Sequence, residues 1–278
     1  MKIKELKHTI CRLGECPLWD ETNNCFYWSD ILLCKIYKYS PQTENVELIY
    51  ETDRQIGGMI SGKNNSLILF TDKDVRKLSL ESNQINILFQ MDFETGERFN
   101  DAIQDSMGRF WAGTMDSTCS KGKLYRFEAA KEPVVILKNL GITNGMGFSC
   151  NERTFYHTDS VPGIITKYDY NIKTGEISTP RIFFKINEKD GCPDGMMVDL
   201  EDNIWTACWG GGKILKLSPD GKILNQIAFP AKQPSSLALG NNEILVTSAA
   251  LKSDNLKTGF DNNGTFVGGK SYILTNFR

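Results

Sequence analysis

The amino-acid sequence predicts an all-β fold, a six-bladed β-propeller that forms one domain over residues 1–278. Three observations predict this fold. Short apolar strands recur about 40 to 50 residues apart, which is the length of a four-stranded propeller blade. Polar turn residues precede each of these strands. No segment carries the long 3.6-residue apolar period of an amphipathic helix, and a hydrophobic content of 40% is enough for a large core.

Six strands rich in apolar and aromatic residues mark the blades, at residues 25–30, 67–72, 110–114, 155–159, 204–207 and 244–248. A polar turn precedes each of them, for example at residues 63–65 and 201–203. Most are followed by a second strand whose residues alternate between apolar and polar, which indicates half-buried strands. Pairing of residues 271–274 with residues 3–6 would close the ring and leave no free sheet edge.

Charge and composition exclude several kinds of partner. The net charge of −2 and the lack of a dense run of Lys or Arg argue against binding to nucleic acid or to an anionic membrane. No stretch reaches the roughly 18 consecutive apolar residues of a membrane span, and the first residues lack the apolar segment of a secretory signal. The eight cysteines form no CxxC pair. We therefore expect a cytoplasmic protein with reduced thiols, whose oligomeric state the sequence leaves open.

The repeat places four polar residues at equivalent positions, roughly a dozen residues before the marker strand of their blade: Glu15, Asn100, Asn144 and Asp194. In the two other blades the same position falls at residues 57–58 and at Ser235. A short apolar segment follows most of these positions, and we interpret it as the innermost strand, which lines the central channel. Because equivalent positions of different blades meet at the axis of a propeller, two carboxylates and two amides would converge at one mouth of the channel.

Such a ring of oxygen atoms suits a divalent metal ion. Two carboxylates facing each other near the axis would repel without a cation between them. The alternative is structural, since Asn144-Gly145 and Asp194-Gly195 are also common hairpin dipeptides and Glu15 alone would be an ordinary surface acid. The shared repeat phase favours the metal site. The sequence does not distinguish Ca²⁺, Mg²⁺, Mn²⁺, Zn²⁺ and Fe²⁺, although its two histidines are too few for a clustered His and Cys zinc site.

Five motifs spread over nearly the whole chain carry a family resemblance. They are G-E-C-P-L-W at residues 14–19, R-F-N-D at 98–101, D-S-M-G-R-F-W-A-G-T-M at 105–115, N-G with T-D-S at 144–145 and 158–160, and P-D-G with W-G-G at 193–195 and 209–211. In this order they resemble the senescence marker protein/gluconolactonase/regucalcin-like family, which includes bacterial sugar lactonases. Each motif is weak alone, whereas the ordered set is specific.

The resemblance implies a six-bladed propeller that binds one divalent metal through Glu15, Asn144 and Asp194 and hydrolyses a small lactone, such as glucono-lactone, to the open-chain acid. It further implies that Arg98 and Asn100 contact the substrate and that Asp194 is the general base. Relatives in this family carry an acidic substrate contact shortly after the G-T-M motif, and the residue aligned here is Thr118. Either Thr118 or Asp116 would then replace that contact, or the substrate differs.

Two other functions stay open at this point. One is a calcium-binding or regulatory propeller without catalysis, because a fold alone does not fix a function. The other is a related hydrolase of non-sugar lactones or organophosphates. Arg98 beside Asn100 favours an enzyme with a polyhydroxylated substrate over both. The lining of the pocket would discriminate among them, since polar walls fit sugars and aromatic walls fit the other hydrolases.

Overall fold

The computed structural model describes residues 1–7, 9–250 and 267–277 of the chain. In this part of the chain, six four-stranded antiparallel sheets follow one another as the blades of a β-propeller. The all-β, six-bladed fold predicted from the repeat is confirmed. Five of these sheets are meanders of consecutive strands, so that one blade corresponds to one sequence repeat, and the sixth takes its outermost strand from the start of the chain.

The first three blades have the following strands. The first is β2 to β5, at Gly14–Asp20, Cys25–Asp30, Lys35–Ser40 and Asn45–Glu51. The second is β6 to β9, at Ile56–Gly62, Ser66–Thr71, Asp74–Ser79 and Ile85–Gln90. The third is β10 to β13, at Arg98–Gln104, Phe110–Met115, Gly122–Phe127 and Val134–Leu140.

The last three blades follow the same plan. The fourth is β14 to β17, at Thr143–Phe148, Thr154–Asp159, Ile164–Asn171 and Glu176–Lys185. A short 3₁₀ turn at Glu188–Asp190 leads to the fifth, β18 to β21, at Cys192–Val198, Ile204–Trp209, Lys213–Leu217 and Ile223–Ala228. The sixth contains β22 at Pro234–Gly240, β23 at Glu243–Ser248, β24 at Tyr272–Thr275 and, from the start of the chain, β1 at Lys2–Glu5.

The ring is closed by pairing between the two ends of the chain. Strand β1 is antiparallel to β24, with Lys2 opposite Thr275 and Glu5 opposite Tyr272. The predicted closure is confirmed, with the strands shifted by one residue from the expected ranges. Because β1 is the outermost strand of the sixth blade, closure joins the first and last segments into one sheet and removes an otherwise open edge.

Apolar layers between neighbouring blades form the core. The two inner strands of each blade are more buried than its outermost strand, and every residue of β3 and of β7 is buried. Trp205 of the fifth blade, for example, packs with Leu237 and Tyr272 of the sixth. The outermost strands are largely exposed. These layers hold the blades apart at fixed angles, so the innermost strands surround a channel instead of meeting at the axis.

All six innermost strands have a register shift near the same mouth of the channel. The shifts lie between Glu15 and Leu18, Ile56 and Gly58, Phe99 and Asp101, Asn144 and Met146, Pro193 and Met196, and Pro234 and Leu237. A bulge of this kind breaks the strict alternation of side chains and re-aims them. The polar positions picked out by the repeat phase therefore lie on irregular strand segments, where side chains are turned towards the channel.

No helix in the described ranges is long and apolar enough to cross a membrane. All eight cysteines are free thiols.

Candidate metal and substrate site

One mouth of the channel contains a cavity of about 320 Å³, within the usual size range of small-molecule pockets. The sequence assigns six residues to the metal or the substrate, and all of them except Thr118 line this cavity: Glu15, Arg98, Asn100, Asn144 and Asp194. They come from four different blades, each at or beside the bulge of its innermost strand. The structure thus brings together residues that are up to about 180 positions apart in the chain, as the repeat phase predicts.

The dipeptides Asn144-Gly145 and Asp194-Gly195 lie within strands β14 and β18, and not in hairpin turns. Neither glycine has a positive φ angle. Each is needed because neighbouring strands approach closely: a Cβ on Gly195 would lie 2.1 Å from Oγ of Ser236. The turn interpretation of these two dipeptides is therefore wrong, and the glycines allow the innermost strands to converge around the channel.

The two carboxylates of the site are almost fully buried. Glu15 is 7% exposed and Asp194 is 5% exposed, and neither forms an ion pair with a Lys or Arg in the described part of the chain. Burial raises the pKa of Glu15 well above its ordinary value, and repulsion by Asp194 and then by Asp101 adds to this. Burial and repulsion by Asp101 likewise raise the pKa of Asp194. The charge of Arg98 opposes the rise at Glu15 only as the smallest of these effects. Two buried acids without an ion-pair partner of their own are what a metal site leads one to expect.

The amide of Asn144 is held by two neighbours. Its Nδ2 donates to Oγ of Ser160 at 2.9 Å, and its Oδ1 accepts from Nδ2 of Asn100 at 3.1 Å. Ser160 in turn donates to the carbonyl oxygen of Pro193 at 2.7 Å, one residue before Asp194. This chain of bonds fixes which edge of the Asn144 amide carries the oxygen, as the outer hydrogen bonds of metal ligands commonly do.

Arg98 is anchored beside this group through a single nitrogen. Its Nη1 donates to the carbonyl oxygen of Phe99 and to Oδ1 of Asn100, both at 2.8 Å. Burial lowers the pKa of Arg98, while the charge of Glu15 opposes that effect. The pKa of a guanidinium is so high that the group stays charged, and the anchored side chain therefore places a fixed positive charge at the cavity.

Asp101 is a residue that the sequence argument missed. It follows Asn100 at the bulge of β10, and it lines the cavity at the opposite mouth of the channel, of about 620 Å³, instead of the site cavity. Its Oδ1 accepts a hydrogen bond of 2.7 Å from the backbone N–H of Ala102, and burial raises its pKa to about 7. The signal was present in the R-F-N-D motif, but strand alternation across a bulge cannot assign its direction.

The donor set fits a hard divalent cation. No three His, Cys, Asp or Glu side chains come together as metal ligands in the described part of the chain. The site instead offers the carboxylates of Glu15 and Asp194 with the amide oxygen of Asn144, and the cavity leaves room for solvent ligands. An all-oxygen set that is completed by water is typical of Ca²⁺, Mg²⁺ and Mn²⁺.

Thr118 and Asp116 do not line the site cavity. Oδ2 of Asp116 accepts hydrogen bonds from the backbone N–H of Thr118 at 2.8 Å and from its hydroxyl, and Oδ1 accepts from the N–H groups of Ser120 and Lys121, each at 2.9 Å. Both side chains are thus engaged in the loop that follows β11. The substrate contact expected at Thr118 is not among those that this geometry provides.

The walls of the site cavity are neither polar nor mainly aromatic. Besides the polar residues already described, they are formed by Leu13, Met115, Ile142, Val161, Cys192 and Trp209. None of these residues has a role that the sequence predicts, although Met115 and Trp209 belong to the motifs of the family resemblance. The site therefore has a polar floor beneath a mostly aliphatic and sulfur-containing wall, a lining that matches neither of the two alternatives set out from the sequence.

Comparison with known proteins gives a consistent result. The SMP-30/Gluconolactonase/LRE-like region matches residues 13–250. Pentonolactonase XacC of Haloferax volcanii is 32% identical over 257 residues, which are 91% of this chain and 87% of that protein. Regucalcin of Xenopus laevis is 29% identical and covers 90% of this chain and 87% of its own. A solved structure of luciferin-regenerating enzyme is 26% identical, with a TM-score of 0.91 over 99% of this chain and 95% of that chain.

Proposed function

The chain belongs to the SMP-30/Gluconolactonase/LRE-like family, and on that premise we propose that it is a metal-dependent lactonase that hydrolyses a small sugar lactone to the open-chain acid. The observation that carries the proposal is the convergence of Glu15, Asn144 and Asp194 with Arg98 in one cavity. The relative named pentonolactonase supports a lactone as substrate, and a cavity of about 320 Å³ is large enough for one monosaccharide-sized ring.

Glu15, Asn144 and Asp194 would hold the metal. When bound, a divalent ion supplies a Lewis acid for the lactone carbonyl and lowers the pKa of a nearby water. Hydrolysis forms a bond between the water oxygen and the carbonyl carbon and breaks the bond from that carbon to the ring oxygen. We assign Asp194 to accept the proton of the attacking water and to return it to the departing ring oxygen.

Arg98 would bind the oxygen atoms on which negative charge develops. Two of its five N–H groups are used by the carbonyl oxygen of Phe99 and by Asn100, and the others have no partner among the described residues. The role of Asn100 is then mainly to hold Arg98 and Asn144 in place, because its oxygen and both of its N–H groups are already hydrogen-bonded.

The test is a pH-indicator assay of lactone hydrolysis on metal-stripped protein, with Ca²⁺, Mg²⁺, Mn²⁺, Zn²⁺ and Fe²⁺ added back separately. Asp194→Asn is compared with Asp20→Asn, a matched control because Asp20 is also a 5% exposed aspartate on an innermost strand but lies outside the cavity. We expect metal-dependent turnover in the wild type and in Asp20→Asn, and none in Asp194→Asn. Full activity of Asp194→Asn would refute the assigned role. A lack of turnover with every ion would favour a calcium-binding protein without catalysis.

A cytoplasmic location remains a prediction from the sequence.

A further inference from the structure

The site cavity offers a substrate few hydrogen-bonding partners. Oδ1 of Asn100 accepts from Arg98, and its two N–H groups donate to the carbonyl oxygen of Thr143 at 3.0 Å and to Asn144 at 3.1 Å. The hydroxyl proton of Ser160 is used by the carbonyl oxygen of Pro193. Among the described lining residues, Arg98 therefore has the most N–H groups left for a substrate, followed by one amide N–H of Asn144 and the indole N–H of Trp209.

The acceptors of the cavity are committed as well. The carboxylates of Glu15 and Asp194 and the amide oxygen of Asn144 form the proposed metal site. Asp116, the nearest acid that follows the G-T-M motif, accepts four hydrogen bonds within its own loop and does not line the cavity. A bound lactone would thus direct its carbonyl end towards the metal and Arg98. Apart from the committed amide and carboxylate oxygens, the hydroxyl oxygen of Ser160, which already accepts from Asn144, is the one side-chain oxygen among the described lining residues that could receive a hydroxyl proton.

The rest of the ring would face apolar atoms. Leu13, Ile142 and Val161 contribute aliphatic wall, and Met115 and Trp209 extend it. A hydroxyl group placed against the inner, aliphatic part of this wall finds no side-chain partner there, and where it is shielded from water this costs about tenfold or more in binding for each group. A methyl or methylene group at the same place gains from leaving water.

We propose that the preferred lactone carries fewer hydroxyl groups than a hexonolactone and presents an apolar group to this wall, as the lactone of a deoxy sugar does. This inference rests on the proposed lactonase function and names the substrate class of the same site. The polar floor recognises the carbonyl end of the lactone, and the wall selects the group at the far side of the ring.

The experiment compares matched substrates that differ by one hydroxyl group. D-Galactono-γ-lactone is set against its 6-deoxy counterpart, D-fucono-γ-lactone, and L-mannono-γ-lactone is set against L-rhamnono-γ-lactone, with the wild-type protein and its activating ion. We expect kcat/KM to be about tenfold or more higher for the deoxy member of both pairs, in accordance with the cost of one buried unpaired hydroxyl. Equal values, or a preference for the hydroxylated member, would overturn the inference while leaving the lactonase function intact.

A variant provides an independent readout. Val161→Thr keeps the size of a residue that lies at the rim of the cavity and is 55% exposed, while adding a hydroxyl group to the wall. We expect the preference for the deoxy lactones to shrink several-fold in this variant, and to stay unchanged in Val134→Thr, an exposed valine of β13 outside the cavity. An unchanged preference in Val161→Thr would contradict the assigned wall.

If no lactone of either pair and no glucono-lactone is hydrolysed with any ion, the proposed function fails, and the inference fails with it.

Discussion

The clearest quantitative prediction concerns Asp101, the partly buried acid that lines the cavity at the opposite mouth of the channel. Burial raises its pKa from an ordinary 3.8 to about 7. Because the pKa in the folded state exceeds that in the unfolded chain, the folded protein binds more protons than the unfolded chain between about pH 4 and pH 7. The contribution of Asp101 to the free energy of unfolding is therefore fully present below this window and is lost as the pH rises through it.

Asp101→Asn removes the ionisable group while keeping its shape, and it should stabilise the metal-free protein at high pH. The difference of about three pKa units corresponds to roughly 4 kcal/mol once both states are ionised, at about 1.4 kcal/mol for each unit. At pH 5 the unfolded chain is already ionised at this residue, so the difference there is about 1.5 kcal/mol. We therefore expect the stability of Asp101→Asn relative to the wild type to increase by about 2.5 kcal/mol between pH 5 and pH 8.

The assay is urea unfolding in a metal chelator at both pH values, followed by tryptophan fluorescence. Asp116→Asn serves as the control because hydrogen bonds from Thr118, Lys121 and Ser120 lower the pKa of Asp116, so its titration lies below this window. Its difference from the wild type should be the same at pH 5 and pH 8. A pH-independent difference for Asp101→Asn would refute the argument. Saturating Ca²⁺ at pH 8 should reduce the gain, since a cation near Glu15 and Asp194 also favours the ionised form of Asp101.

Three other predictions concern the site itself. Glu15→Gln should abolish the rise in melting temperature on adding Ca²⁺, which in the wild type corresponds to about 2.7 kcal/mol at a hundredfold excess of Ca²⁺ over Kd. Arg98→Ala should keep that rise but lose about 10²- to 10³-fold in kcat/KM. Loss of the rise in both variants would contradict the separation of metal binding from catalysis. Ser160→Ala should weaken metal binding about tenfold or more in calorimetry, because the Asn144 amide loses its acceptor, and unchanged affinity would exclude this orienting role. Gly195→Ala should destabilise the protein by more than about 2 kcal/mol in chemical denaturation, because a Cβ would lie 2.1 Å from Ser236; wild-type stability would show that the strands can separate there.

The ring of polar residues could be predicted because it follows from a period. Each blade repeats the same strand order, so a residue such as Glu15 has the same relation to its marker strand as Asp194 has to its own, and the propeller turns equal phase into spatial proximity. Closure by β1 and β24 could be predicted for a similar reason, because a ring of sheets leaves one strand to be supplied from the other end of the chain.

The remainder depends on details that a period does not contain. The bulge at Phe99 and Asp101 breaks side-chain alternation, so the sequence could not show that Asn100 faces one cavity while Asp101 faces the other. Wall residues such as Leu13 and Val161 lie outside the strands, where the chain path sets their distance from the axis. Thr118 was aligned by its offset from a motif, but local hydrogen bonds to Asp116 hold it in its own loop.

The pairing of β1 with β24 also has a consequence for the order of folding. The segment Lys2–Glu5 is synthesised before the first five blades, yet its partner Tyr272–Thr275 is synthesised only after them. The first five blades contain only neighbouring strands and can form as they emerge, whereas the sixth must wait for the synthesis of β24 and for a contact of very long sequence separation. Until then the nascent ring exposes unpaired edges, which makes the last step of assembly the stage most open to aggregation and to help from chaperones.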